Sequence, residues 1–322
     1  MNTILPLIQT ALELGLISSL TVLALYLSYS MLNVCDLSTD GCFTLGAAVG
    51  AVVALAGHPF LAILAAMTAG MLSGFLTAFL QTKMGVDSLL AGIVVNTGLY
   101  SINIAVMGNS SLLNMNKTET VFTLMQKLLA GTFLESQYKL VVILIAVTLV
   151  IAFLTLFLQT RLGLAIRATG NNPAMVKSSS INTATMTIIG LVIANAFTGL
   201  SGCLLAQSQK SVNIDIGTGM VTIALASLLI GNTFFGKCGI LLRAIGAVVG
   251  SFVFRLVYTI ALRFNMPAYM LKLVSAVIVV LAISGPYLRN RAKLLQRNLS
   301  LRSVSGGNDP VDQTDGREDE TC

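Results

Sequence analysis

Apolar residues fall into nine runs along the chain, over residues 5–32, 42–56, 59–80, 88–107, 140–158, 185–206, 219–230, 240–262 and 268–283. Most approach the ~20 residues that a helix needs to cross a hydrocarbon core ~30 Å thick. None shows the short apolar–polar alternation of a membrane β-barrel strand. The pattern predicts an all-α, polytopic membrane protein with about nine transmembrane segments. The second and seventh runs are short and contain glycine. They have the character of broken or re-entrant helices, whose backbone must be surrounded by protein or line a cavity.

A shift of 178 residues lays the first four runs over the sixth to ninth, so the order long, short, long, long recurs. Identities across the shift are few: Gly41 with Gly219, Thr44 with Thr222, Ala48 with Ala226 and Ser73 with Ser251. Five spans separate the start of one copy from the start of the other. An odd number inverts the second copy, an arrangement that places a solute path at the repeat interface. The expected organisation is a transmembrane domain over 1–302, with repeat one at about 5–107 and repeat two at about 183–285. A polar loop at about 159–184 lies between them, and a disordered cytoplasmic tail follows at 303–322.

Basic residues orient the chain. Residues 136–214 contain no acid, and the polar loop carries Arg161, Arg167 and Lys177. Arg289, Arg291, Lys293, Arg297 and Arg302 follow the last run. Four spans separate the two regions, so both face the cytoplasm, with Lys83, Lys237 and Arg243 on the same side. The N-terminus is then outside and the C-terminus inside. Lys117, Lys127, Lys139, Lys210, Arg263 and Lys272 lie on the outer side. In the outer loop 108–139, Val121, Met125 and Leu129 recur at helical spacing beside Phe122 and Leu128. They predict an amphipathic helix on the outer membrane surface. No Lys or Arg precedes Lys83, so the first run reads as a retained span rather than a cleaved leader.

Composition strengthens the membrane reading. Hydrophobic residues make up 55% of the 322 and charged residues 10%, with a mean hydropathy of +0.87. Soluble domains carry ~25% charged residues. The net charge of +6 conceals an acidic tail. Residues 303–322 hold six acids and one Arg, and the rest of the chain holds 18 basic and 7 acidic residues. Basic residues at membrane edges report topology, so no nucleic-acid partner is implied. The five cysteines, Cys35, Cys42, Cys203, Cys238 and Cys322, have no metal-binding spacing and read as small apolar fillers. No metal site is expected.

Little catalytic chemistry is available. Gly231–Cys238, GNTFFGKC, falls one residue short of a phosphate-binding loop, because Cys238 cannot supply the hydroxyl that holds Mg²⁺. It reads as a Gly-rich cytoplasmic turn. The only histidine, His58, sits in a Gly-His-Pro turn, and Asp87, Glu119, Glu135 and Asp215 lie in or beside loops. No proton relay or Ser/His/Asp set emerges. Arg255 is the one charge well inside a run, and its simplest reading is a stem that snorkels to a span end.

Three polar features remain. Asp36 and Asp40 occur in CDLSTDGCFTLGAA beside Gly41, either as capping residues of an ordinary turn or as a hinge flanking a solute path. Asn96, Asn103 and Asn195 interrupt apolar runs, and each reads as helix–helix glue or as path lining. The third is the island AIRATGNNPAMVKSSSIN, residues 165–182, whose placement between two very apolar spans calls for a partner.

Five blocks in order, DLSTDGCFTLGAA, SINIAVMG, TRLGLAIRATGNNPAM, NAFTGLSGCLLAQ and GTGMVTIALASLLIG, make the chain resemble permease subunits of bacterial ABC importers. The resemblance covers about 10–290. It is to the branched-chain amino acid and ribose type, within it the branch assigned to tryptophan or tyrosine uptake. It implies a non-catalytic subunit of the bacterial inner membrane that forms the path for a small solute, an amino acid, aromatic or branched-chain. It implies a homodimeric permease, two cytoplasmic ATPase subunits that use ATP and Mg, an extracytoplasmic substrate-binding lipoprotein and surrounding lipid. No cofactor belongs to this chain itself. The resemblance also makes the stretch around 163–181 the coupling element, with Gly163, Arg167, Gly170, Asn172 and Pro173 facing the ATPase and Gly170 with Pro173 setting its turn. Cys42 stands where the branch has Ser, Ser180 where it has Gly, and Asn232 where an acid is common. The alternative function is an ATPase-independent secondary transporter or channel for a small polar solute.

Overall fold

The computed structural model describes residues 4–128, 137–236 and 239–263, together with 273, 276–280 and 284. The acidic tail, most of the ninth apolar run, and Lys237 and Cys238 lie outside the described residues. The helices are α1 (Ile4–Leu25), α2 (Thr39–Leu55), α3 (Pro59–Lys83), α4 (Ser88–Val106), α5 (Val121–Leu128), α6 (Tyr138–Gln159), α7 (Arg161–Asn171), α8 (Pro173–Ser178), α9 (Thr183–Gln209), α10 (Met220–Phe235) and α11 (Ile240–Arg263). A π-helical turn, Tyr26–Met31, extends α1. Two short strands, β1 (Leu112–Asn114) and β2 (Ser211–Asn213), pair antiparallel. Six described helices are long and apolar enough to cross a membrane, and α2 and α10 are apolar but shorter.

Helix α9 forms the centre of the bundle, with 78% of its most apolar stretch buried. It runs antiparallel to α3: Pro59 meets Gln207, Ala62 meets Cys203 and Ala66 meets Gly199. It runs parallel to α2, since Cys42 meets Asn195 and Gly50 meets Cys203. Close approach demands small residues. A Cβ at Gly46 would strike the backbone of Gly199, and one at Gly199 would strike the Ala66 carbonyl. Lipid offers no hydrophobic drive for helix association, so contact area between small residues holds such bundles together.

Packing partners recur in the two halves. Helix α3 pairs with α2 as α11 pairs with α10, and α9 lies on α3 as α1 lies on α11. Helix α1 is antiparallel to α9, with Ile17 beside Ser201 and Leu32 beside Gly190. The halves therefore enter the bundle in opposite directions. Ser251 Oγ donates to the Gly15 carbonyl and Ser201 Oγ to the Ile17 carbonyl, which closes the α1 contacts from both sides.

One end of the bundle carries α7 and α8 against the end of α1. The other carries the ribbon and α5. There the Val121 N–H donates to Gln207 Oε1 of α9 at 2.9 Å, and Val121 and Phe122 are buried among residues of α6 and α9. The amphipathic helix is thus at the expected place in the chain: Val121 and Phe122 pack on protein, Met125 is partly buried, Leu128 stays exposed, and Leu129 lies outside the described residues. Arg255 also departs from expectation. It is buried, and its Nε and Nη2 both donate to Ser18 Oγ of α1, at 3.0 and 2.8 Å. The side chain does not snorkel, because a hydroxyl acceptor lies directly across the helix interface.

Candidate functional site

The short helices explain each other. Helix α2 has 17 residues and α10 has 16, so at ~1.5 Å per residue each is ~25 Å long and falls short of a full crossing. Both begin at mid-depth. The start of α2 lies beside Asn195, half-way along α9. The start of α10 meets the start of α2: Asp40 Oδ2 accepts the Gly219 N–H at 2.9 Å and Oδ1 the Val221 N–H at 2.8 Å. From there α2 runs with α9 toward the ribbon end. Helix α10 runs the other way, because α11, antiparallel to it, starts near Tyr26 at the α7–α8 end. Two helix N-termini, each equivalent to about half a positive charge, thus converge on one carboxylate. Asp40 is a cap for α10, and its bonds satisfy backbone donors that lipid could not.

Asp36 builds a second junction just below. It is 1% exposed. Its Oδ1 accepts the Ser38 N–H and Oγ–H at 2.8 and 2.6 Å, and its Oδ2 accepts Asn195 Nδ2 at 2.7 Å. Thr77 of α3 donates to Ser38 Oγ at 3.0 Å. Asp36 and Asn195 therefore knot the entry segment, α3 and α9 together.

A polar cleft of ≈ 400 Å³ opens beside the Asp40 junction, between α2, α4 and the segment leading into α10. Asp40, Gly41 and Thr44 form its α2 wall. Asn96, Thr97, Tyr100, Ser101 and Asn103 form the α4 wall, and Ile214, Asp215 and Thr218 close it. Asn103 is 1% exposed and donates to the Gly41 carbonyl at 3.2 Å. Gly41 has no room for a Cβ, which would lie 2.6 Å from Asn96 Oδ1. A larger crevice of ≈ 500 Å³ lies between α3, α5, α6 and α9, but Phe60, Met67, Met71, Met125 and the other residues lining it are apolar. It offers a polar solute nothing to bind. The structure therefore brings Asp40, Gly41, Asn96 and Asn103 to one cleft and sets Asp36 and Asn195 apart from it.

At the opposite end the island folds as α7, an Asn172 break and α8. Thr160 caps α7 by accepting the Gly163 N–H at 3.2 Å, and Asn172 caps α8 by accepting the Met175 N–H at 3.1 Å. Pro173 occupies the first turn of α8, where a missing N–H costs nothing. Gly170 does not set this turn. It lies inside α7, where a Cβ would strike the Met31 carbonyl, so its smallness seats α7 on the end of α1. Gly163 similarly admits the Phe157 carbonyl of α6. Arg167 is half-buried, and its charge bears on the Tyr26 phenol together with that of Arg243. The exposed face carries Arg161, Leu162, Leu164, Met175 and Lys177.

The family described as "Branched-chain amino acid transport system / permease component" matches residues 7–283. The chain belongs to this family. A "Tyrosine transport system permease protein" of Clostridioides difficile is 33% identical over 267 residues, 83% of this chain and 86% of its own. A "Nucleoside ABC transporter permease protein NupC" of Lactococcus lactis is 27% identical over 244 residues, 71% of this chain and 74% of its own. An "Uncharacterized protein RP368" of Rickettsia prowazekii is 28% identical over 282 residues, 86% and 96% respectively. No solved structure matches the chain. The permease is a multi-pass protein of the bacterial inner membrane.

Within the permease, Thr97, Tyr100, Thr218 and Asp215 are cleft residues that sequence reasoning had not placed there. A signal for the α4 residues was present but unread: Asn96, Tyr100 and Asn103, with Thr97 and Ser101, follow one helical stripe. Thr218 and Asp215 gave no such signal, since only folding brings their loop to α4. Gly231–Phe235 lies inside α10, so the first five residues of the near-match to a phosphate-binding loop are helix, while Lys237 and Cys238 lie outside the described residues.

Proposed function

We propose that the permease is the membrane-spanning subunit of an ATP-driven importer and conducts a small polar solute, an amino acid, through the cleft by alternating access. The single observation that carries this reading is the Asp40 junction, where two opposed half-helices start at mid-depth beside a polar cleft. Such breaks are the usual site of solute passage in membrane transporters. The 33% identical tyrosine permease favours an amino acid over a nucleoside.

In this reading α7 and α8 face the cytoplasm and seat in an ATPase. Gly170 and Gly163 fix the pair rigidly to α1 and α6, so closure of the ATPase dimer moves those helices as one body. Leu162, Leu164 and Met175 enter the ATPase groove, while Arg167 ties the motion to the Tyr26 turn. The ribbon end faces outward and receives a substrate-binding lipoprotein. A second copy of the chain completes the path, and ATP and Mg belong to the ATPase subunits.

The test is co-purification and uptake in the same membranes. The permease should carry down an ATPase encoded beside it, and labelled tyrosine should enter only with ATP. Undiminished uptake without any ATPase would make the chain a secondary transporter instead.

A further inference from the structure

The cleft is chemically one-sided. Its charged lining residues, Asp40 and Asp215, are both acids, and no Lys, Arg or His lines it among the described residues. The slot where a half-helix N-terminus would hold an anion is already filled by Asp40, whose oxygens take the Gly219 and Val221 N–H groups. A solute carboxylate entering there would meet two like charges.

A second observation points to a donor. Asn103 is 1% exposed and spends its amide nitrogen on the Gly41 carbonyl. Asn103 lines the same cleft, and its buried Oδ1 has no hydrogen-bond partner among the described residues. Buried acceptors are almost always paired, and of the unpaired side-chain groups among the described residues Asn103 is the one whose residue lines this cleft. Asp215 stands across the cleft in a fixed turn: its N–H donates to Asn213 Oδ1 at 3.1 Å and its carbonyl accepts the Thr218 N–H at 3.0 Å. Its carboxylate has no side-chain partner among the described residues.

We propose that this cleft is a subsite for a protonated amine, the ammonium group of the solute, with Asn103 Oδ1 and the Asp215 carboxylate as acceptors. Asp40 supplies fixed negative charge behind them. An ammonium has three donors and no acceptor, which matches a wall of acceptors without cations. Tyr100, half exposed on the same wall, offers a ring face to the cation or to the rest of the solute. The proposal rests on the permease reading and names the group that the cleft selects.

The experiment places a cysteine at the cleft mouth, Thr218→Cys, in the intact transporter complex in nanodiscs, and follows maleimide labelling against the parent chain. Two matched pairs of probes are added: tyramine with 3-(4-hydroxyphenyl)propionate, and isoamylamine with isocaproate. At least one amine should slow labelling, while its matched acid should not. Adding Asp215→Asn should weaken that protection by about tenfold, the scale of a charge-assisted hydrogen bond, and Asp215→Glu should restore it. Equal protection by amine and acid, or none by either amine, overturns the proposal. Failure of the importer reading appears separately, as lost ATPase co-purification in the parent chain.

Discussion

Ser180 shows how a single substitution reads once its backbone is known. It adopts φ 60°, in the left-handed region that glycine enters without strain. A side chain there costs ~1–2 kcal/mol relative to glycine. Ser180→Gly should therefore raise the thermal midpoint of the purified permease by a degree or more, with uptake unchanged. A lowered midpoint would show that the Ser180 side chain holds the α8–α9 turn. Gly170 behaves oppositely. Its backbone is ordinary helix, and the constraint is the Met31 carbonyl. Gly170→Ala should displace α7 from the π-helical turn and reduce ATPase co-purification, although alanine is the better helix former by ~1 kcal/mol. Normal co-purification would show that α7 tolerates a shift. In the lower knot, Asp36→Ala would strand Ser38 and Asn195 without their acceptor. Hydrogen bonds to a charged group are worth ~1.5–3 kcal/mol each, so this variant should reach the membrane at much lower yield than Asp36→Asn.

At the scale of elements, α2 and α10 are paired through one carboxylate. Asp40→Ala removes the cap of α10, a loss of ~0.5–2 kcal/mol that leaves the bundle folded. It also releases two helix N-termini from their shared counter-charge. Uptake should fall at least tenfold while membrane yield and ATPase binding stay near normal. Equal losses of yield and uptake would make Asp40 a stability residue alone. The α1–α11 contact has a similar lever. Ser18→Ala strands the buried Arg255 guanidinium and should lower the thermal midpoint, and Ser18→Thr should recover most of it.

For the molecule as a whole, the proposed coupling requires that force applied at α7 and α8 reach the Asp40 junction. The contacts that would carry it are Gly170 to Met31, along α1, through Ser251 to α11, and from α11 to α10, whose first N–H groups Asp40 holds. Arg167 lies where this route begins. Arg167→Ala should leave the ATPase bound, because the residue is half-buried behind the exposed face, but should uncouple hydrolysis from uptake. Hydrolysis and uptake measured on the same proteoliposomes would show it. Retained coupling at the parent ratio would return Arg167 to a purely local role with Tyr26.

The apolar runs were legible because hydrocarbon thickness fixes helix length, and length and apolarity are local properties of the chain. The same physics exposed α2 and α10 as too short to cross. Glycine at 46, 170 and 199 could be counted but not interpreted, since a close approach is a property of two segments at once. The two aspartates looked alike in sequence, four residues apart. Folding sent Asp36 into a closed knot with Asn195 and set Asp40 against a helix 179 residues away. No local pattern distinguishes these fates, because the distant partner of a buried carboxylate is chosen by which donors, side-chain or backbone, the fold brings beside it.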